Sequence, residues 1–168
     1  VYKHMKKNTS LKNKNVLITG GAGFIGSELT KQALSNGANV SVVDNLVNGK
    51  KSNLNLDDKN LTFYEEDIRN QQVMQNLISK SDYVFNLACL GVRHSIHSPI
   101  ESHSVNADAT LNLLKMSRET DIKKFVHIST SEVYGTAMYV PMTEEHPTTP
   151  HTVYGASKLA GEAYARAY

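Results

Sequence analysis

Asn15-Val-Leu-Ile-Thr19-Gly-Gly-Ala-Gly23-Phe-Ile-Gly26 decides how this chain is read. Its first five residues are a short, β-branched apolar run, the pattern of a strand buried on both faces of a parallel sheet. Glycines follow, and then Phe24, Ile25, Leu29, Ala33 and Leu34 recur near helical spacing until Asn36-Gly37 ends the helix. The turn between them has the form G-x-x-G-x-x-G, with Gly20, Gly23 and Gly26 at its fixed places. Positions without a Cβ let the backbone approach a pyrophosphate, and the free N–H groups of the helix N-terminus favour its charge. A tight strand-to-helix turn with no ligand is the plain alternative. A P-loop does not fit, because Ser27 rather than lysine follows Gly26.

Outward from this turn the alternation repeats. Apolar runs predict further strands at 39–43, 61–65, 83–87 and 125–129, and periodic segments predict helices at 24–36, 71–78, about 98–120 and from about 152 to the end. Ser98-Pro99-Ile-Glu101 has the composition of a capping box with proline at the first helical position. Val105, Ala109, Leu113 and Met116 then share one face. Such alternation predicts an α/β doubly wound parallel sheet of Rossmann type. Ligands of these sheets bind beyond the carboxyl ends of the strands, so the chemistry is expected after residues 19, 43, 65, 87 and 129.

Asp44 ends the second strand about 20 residues beyond the glycines, where a carboxylate accepts hydrogen bonds from both hydroxyls of an adenosine ribose and repels a 2′-phosphate. Asn45, Leu46 and Val47 follow without an arginine, which favours NAD over NADP; Lys50 and Lys51 argue mildly the other way and read as a solvated loop. Asp67-Ile68 suits the adenine rim, and an aspartate capping the next helix explains Asp67 almost as well.

Composition narrows the class. The 168 residues are 40% hydrophobic and 20% charged, as in an ordinary globular domain. No apolar run has the length of a membrane span, no signal-peptide pattern follows the first lysines, and the one cysteine, Cys89, excludes an internal disulfide. A reducing cytoplasm is the simplest setting. Five lysines and no acid occupy residues 1–15, so the rest of the chain is net acidic although the whole is +2. That basic tail, 1–14, lacks aromatic interleaving beyond Tyr2 and reads as a solvated arm, in part a tag remnant, rather than a nucleic-acid site.

Tyr154-Gly-Ala-Ser-Lys158 sets a phenol and an ammonium one helical turn apart. A free phenol is a poor base at neutral pH, and a nearby ammonium, helped by a cationic nicotinamide ring, is expected to favour phenolate and bring Tyr154 into a useful range. Together with the glycine turn and a Ser/Thr cluster at a strand end, this pair resembles the short-chain dehydrogenase/reductase superfamily. The resemblance is narrower still: it points to the extended branch, the NAD-dependent epimerase/dehydratase family that modifies nucleotide sugars. It rests on Thr19 to Gly26, Asp44-Asn45, Asp67-Ile68, Asn86-Leu-Ala88, Ser129-Thr-Ser-Glu-Val-Tyr-Gly135 and Tyr154-x-x-x-Lys158, in order.

The resemblance implies that Tyr154 is the catalytic base, that Lys158 orients it and holds the nicotinamide ribose, and that the Thr130 hydroxyl bridges Tyr154 and a sugar oxygen. It places the cofactor, NAD, against Gly20, Gly23, Phe24, Ile25, Gly26, Asp44, Asn45, Asp67, Ile68, Asn86, Leu87, Ala88 and Ser129, with Asn106 on the helix beneath. Hydride leaves a sugar carbon, usually C4, and a keto sugar results. A sugar epimerase, similar to the UDP-hexose 4-epimerases, is the first reading, with a UDP-linked nucleotide sugar as partner and a homodimer as assembly. Dehydratases of this pattern carry Thr-Asp-Glu where this chain has Thr130-Ser131-Glu132, and serine is the weaker acid. Thr-Ser-Glu also occurs in decarboxylases and in some dehydratases, so two readings of Glu132 stay open: an acid/base, or a glutamate hydrogen-bonded at a strand end.

Gly91 to His97 occupies the place of the family's substrate loop, with Arg93 or Ser95 available to a diphosphate or sugar hydroxyl. No metal site is expected: His94, His97 and His103 read as surface residues, and Cys89 as a small packing residue under the cofactor. The chain stops shortly after Lys158, which predicts an incomplete NAD-binding domain over 15–168 with the C-terminal substrate domain absent. A non-catalytic NAD-binding module is the alternative from another class.

Overall fold

In the computed structural model, which describes residues 10–168, β1 (Asn15–Thr19) enters the glycine turn and α1 (Phe24–Ser35) leaves it. The first nine residues of the basic tail lie outside the described residues. β2 (Asn39–Val43), β3 (Leu61–Tyr64), α2 (Gln71–Ile78) and β4 (Tyr83–Asn86) follow within a residue of expectation. All five strands run parallel in the order β3-β2-β1-β4-β5, with β5 (Lys124–His127) at one edge. The order reverses between β1 and β4, and the crevice there is where such sheets take ligands.

Alternation along β1 builds two cores. Leu17 packs with Met74, Ile78, Val84 and Leu113 on one face, and Val16 and Ile18 pack with Ala33, Val40 and Val42 on the other. On the α1 face the helix does not bury the whole of its expected apolar stripe. Phe24 and Ile25 are 92% and 63% exposed, because the first turn projects over the crevice rather than onto the sheet.

Two features between β4 and β5 differ from expectation. The loop expected over 91–97 is a helix, α3 (Val92–His97), opened by the Ser95 N–H donating to the Gly91 carbonyl. The capping box expected at Ser98 does not form. Ser98 ends α3 and starts α4 (Pro99–His103) through its backbone alone, and Glu101 turns away to His94 (2.9 Å) and Arg69 (3.5 Å). The long helix then widens into a π-helical turn, Ser104–Asp108, before α5 (Ala109–Arg118). Val105, Ala109, Leu113 and Met116 are buried as their spacing predicts. Thr152 caps α6 (Val153–Ala167) by accepting the Gly155 N–H at 2.9 Å.

Candidate active site

The carboxyl ends of all five strands open into one cleft of about 700 Å³. At its floor Gly20 has φ +67°, and a Cβ there would lie 2.8 Å from the Ala88 nitrogen; a Cβ on Gly26 would strike the Gly20 carbonyl oxygen. The turn is tied down from both sides. The Ala22 N–H donates to Asp44 Oδ2 (3.0 Å), while its carbonyl accepts from Asn53 Nδ2 (2.8 Å) and the Lys50 N–H (3.1 Å). The other Asp44 oxygen accepts the Leu46 N–H at 2.9 Å. The carboxylate is therefore aimed before any ligand arrives. Lys51 is drawn off to Glu65 and lies over the Phe63 ring, away from the cleft.

Asn45 Nδ2 donates to Asp67 Oδ2 (3.1 Å), and Ile68 lines the wall beside them. Asp67 does not cap α2; Asn70 does, and Asp67 is held by Arg69, whose hydrogen bonds keep its carboxyl below the usual range. Arg69 also reaches Glu101, which pairs with His94 on α3. This chain of polar contacts fastens α3 to the adenine rim.

The opposite end gathers Ser129, Thr130, Tyr154 and Lys158 with Leu87, Ala88 and Cys89. Lys158 is nearly fully buried, and its Nζ donates to the Ile128 carbonyl at 2.6 Å. Burial lowers the pKa of its ammonium, against which the Cys89 sulfur and the Glu162 carboxylate raise it. Tyr154 shows what the chain does without the cofactor's charge. Its phenol is pushed up, first by burial and then by Cys89, with Thr130 alone pulling it down. The ammonium is engaged with a carbonyl and does not by itself activate the phenol.

Four sequence candidates stand off the cleft wall. Asn86 is fully buried: it accepts from Thr19 Oγ1 (2.7 Å) and donates to Thr110 Oγ1 (3.1 Å) and His127 Nδ1 (3.2 Å). Its side chain ties the ends of β1 and β5 to α5 and is not part of the cleft wall. Asn106 does lie beneath the cleft, exchanging two 2.9 Å hydrogen bonds with the Leu90 backbone and donating to Ser157 (3.0 Å). Ser95 is buried and donates to the Val92 carbonyl, so of the two substrate candidates only Arg93 faces the cleft. Glu132 is exposed, in a short 3-10 turn beyond β5, and meets Thr152 Oγ1, the cap of α6, at 3.4 Å rather than a strand end.

Sequence reasoning placed Cys89 under the cofactor, whereas it stands in the wall beside Tyr154. It missed Val47, Gly49 and His94 on the rim; the polar loop after β2 was the only signal for the first two. His103 sits 3.6 Å from Asp108, and among the described residues no group of three or more His, Cys, Asp or Glu side chains could hold a metal. None of their helices is long and apolar enough to cross a membrane.

A dinucleotide fits these residues. The glycine cradle would be filled by any Cβ, the first turn of α1 leaves N–H groups free, and a pre-aimed carboxylate stands at one end. The profile of the family described as GDP-mannose 4,6 dehydratase matches residues 17–168. The chain belongs to this family. Its relatives include epimerases. The putative UDP-glucose 4-epimerase of Methanocaldococcus jannaschii is 37% identical over 156 residues, spanning 91% of this chain and 50% of that protein. Among solved structures, the UDP-N-acetylglucosamine 4-epimerase of Methanobrevibacter ruminantium, in complex with UDP-N-acetylmuramic acid, superposes with TM-score 0.87 at 37% identity, over 93% of this chain and 50% of that one. The dTDP-glucose 4,6-dehydratase DesIV of Streptomyces venezuelae, solved with NAD, gives 0.86 at 34% identity over 92% and 51%. The chain spans about half the length of the relatives it matches.

Proposed function

We propose that this chain is the NAD-binding, catalytic-base portion of a nucleotide-sugar 4-epimerase. One observation carries the reading. Thr130, Tyr154 and Lys158 converge at the end of the cleft opposite Asp44, and the lining carboxylates, Asp44, Glu66 and Asp67, all follow β2 and β3 at the other end. A dehydratase needs an acid beside the base to protonate the departing hydroxyl. Glu132 is close enough for its charge to raise the Tyr154 phenol, but like Ser131 it is exposed and off the cleft wall, with a carboxylate oxygen meeting Thr152 Oγ1; an acid outside the cleft supports epimerisation over dehydration.

NAD supplies a hydride acceptor that returns the hydride to the other face of the sugar carbon. The chain supplies the rest. Asp44, already holding the turn, is placed for ribose hydroxyls, and the glycine turn receives the diphosphate. At rest burial keeps the proton on Tyr154; positive charge brought by a bound cofactor beside Lys158 would favour its loss to solvent, and the phenolate left behind would then take the C4 hydroxyl proton as hydride leaves. Thr130 orients that hydroxyl, and Arg93 at the cleft wall is available to the sugar diphosphate. UDP-sugars are the substrate class, as in the epimerases it resembles.

A homodimer is supported by Ile96 and Ile100, 69% and 82% exposed on α3 and α4, and light scattering tests it. The single cysteine supports a reducing cytoplasm. The function is tested by calorimetric titration with NAD and NADP, then incubation with UDP-glucose and UDP-N-acetylglucosamine followed by NMR. Preferential NAD binding and inversion at C4 are expected. A 4-keto-6-deoxy product would reassign the chain as a dehydratase, and absence of NAD binding would overturn the reading.

A further inference from the structure

The stripe that carries Tyr154 and Lys158 along α6 continues, one turn at a time, to Glu162 and Arg166. The first two face the cleft. The third does something the reaction does not require: Glu162 Oε2 accepts a 2.8 Å hydrogen bond from Ser129 Oγ, and its other oxygen pairs with Arg166. Only 19% of the Glu162 side chain is exposed, against 71% for Arg166. Ser129 lines the cleft and immediately precedes Thr130, while the carbonyl just before it, that of Ile128, accepts from Lys158. Two successive residues leaving β5 are thus clamped to one helix by two successive side chains of the stripe.

Among the described residues Lys158 also has no partner of opposite charge in direct contact, although it is nearly fully buried. The titratable groups around it are Cys89 after β4, His127 on β5, and Tyr154 and Glu162 on its own helix. The π-turn and α4 meet α6 at neutral side chains, Asn106 and Ser102 beside Ser157. Glu162 is the one carboxylate in that set.

We propose that Glu162 is a positioning residue for the Tyr154/Lys158 pair: through Ser129 it registers segment 128–130 on α6, and one helical turn beyond Lys158 it holds a fixed negative charge on the same stripe as the buried ammonium. This deepens the proposed function and rests on it only for the meaning of the pair, since the clamp is a property of the ligand-free chain. Glu162 raises the ammonium's affinity for its proton against the effect of burial, in agreement with that role.

The test compares the parent chain with Glu162→Gln, which keeps an acceptor for Ser129 but loses the charge, and Glu162→Asp, which keeps the charge. Titration of the Lys158 ε-carbon is followed by NMR of lysine-labelled, ligand-free protein, with the signal assigned by Lys158→Ala and folding checked by circular dichroism. The Lys158 midpoint is expected to fall by about one pH unit, a tenfold shift in its proton equilibrium, in the glutamine variant and to recover in the aspartate variant. NAD affinity of the glutamine variant should decline at correspondingly lower pH than that of the parent. An unchanged midpoint in a folded Glu162→Gln chain overturns the inference, because a merely structural tie would leave it there. A parent that binds no NAD while its glutamine variant still shifts the midpoint would instead count against the proposed function alone.

Discussion

The two ends of the cleft are built on opposite principles. At the adenine end each polar group is satisfied within its own neighbourhood: Asp44 by the Ala22 and Leu46 N–H groups, Asp67 by Arg69 and Asn45. At the reactive end the groups come from three separated segments, after β4, after β5 and on α6, and burial shifts both Tyr154 and Lys158 towards their neutral forms. The first end binds because its geometry is set in advance. The second holds its groups short of reaction until a ligand brings charge.

That contrast breaks if substitutions at the two ends act alike. Tyr154→Phe should give the largest effect, lowering C4 inversion about 10³-fold while calorimetric NAD affinity changes by no more than a few-fold. Equal losses in both would mean that the phenol belongs to the binding end. Gly26→Ala should do the reverse. Its methyl would have to displace the backbone of Gly20 and Gly21, so chemical denaturation should show about 3 kcal/mol of lost stability together with lost NAD binding.

His127 sharpens the comparison through pH. Burial, with Lys158 second, lowers its pKa to about 4, against 6.5 for a free imidazole. Across that window the unfolded chain binds the extra proton, so stability should fall as pH drops from about 6.5 to about 4 and stay level above. With the ring only partly shielded, about 2 kcal/mol is expected, and His127→Gln should flatten the slope in thermal melts across that range. Asp44→Asn should give the smallest change. Calorimetry should show the preference for NAD over NADP falling about tenfold, since the repelling charge goes while the backbone anchor keeps one acceptor.

Where local pattern suffices, the chain could be read directly. Apolar, β-branched or aromatic runs place β1 to β4 to within a residue, whereas β5 ends at His127, two residues short of expectation; the glycine turn with Asp44 predicts the adenine end. Ser98 and Glu101 have the right spacing for a capping box, yet Glu101 meets Arg69 and His94 instead, and a linear reading does not bring Arg69 near it. Asn86 sits in a recognisable motif, but its amide is consumed by Thr19, Thr110 and His127, residues scattered over the whole chain. The state of Tyr154 was beyond reach for the same reason: i,i+4 spacing shows that Lys158 is near, not that the Ile128 carbonyl engages its Nζ.

The π-turn at Ser104–Asp108 works as a phase correction. Each residue added to or removed from a helix rotates all that follows by about 100°. Upstream of the turn Ser102 faces the amide that pairs with the Leu90 backbone, and downstream Leu113 and Met116 face the sheet, two bearings that one unbroken α-helix need not serve together. Deleting a single residue there would leave a smoother helix whose two halves point about a quarter-turn apart from their partners. The irregular stretch is what lets one rod meet both the cleft floor and the core.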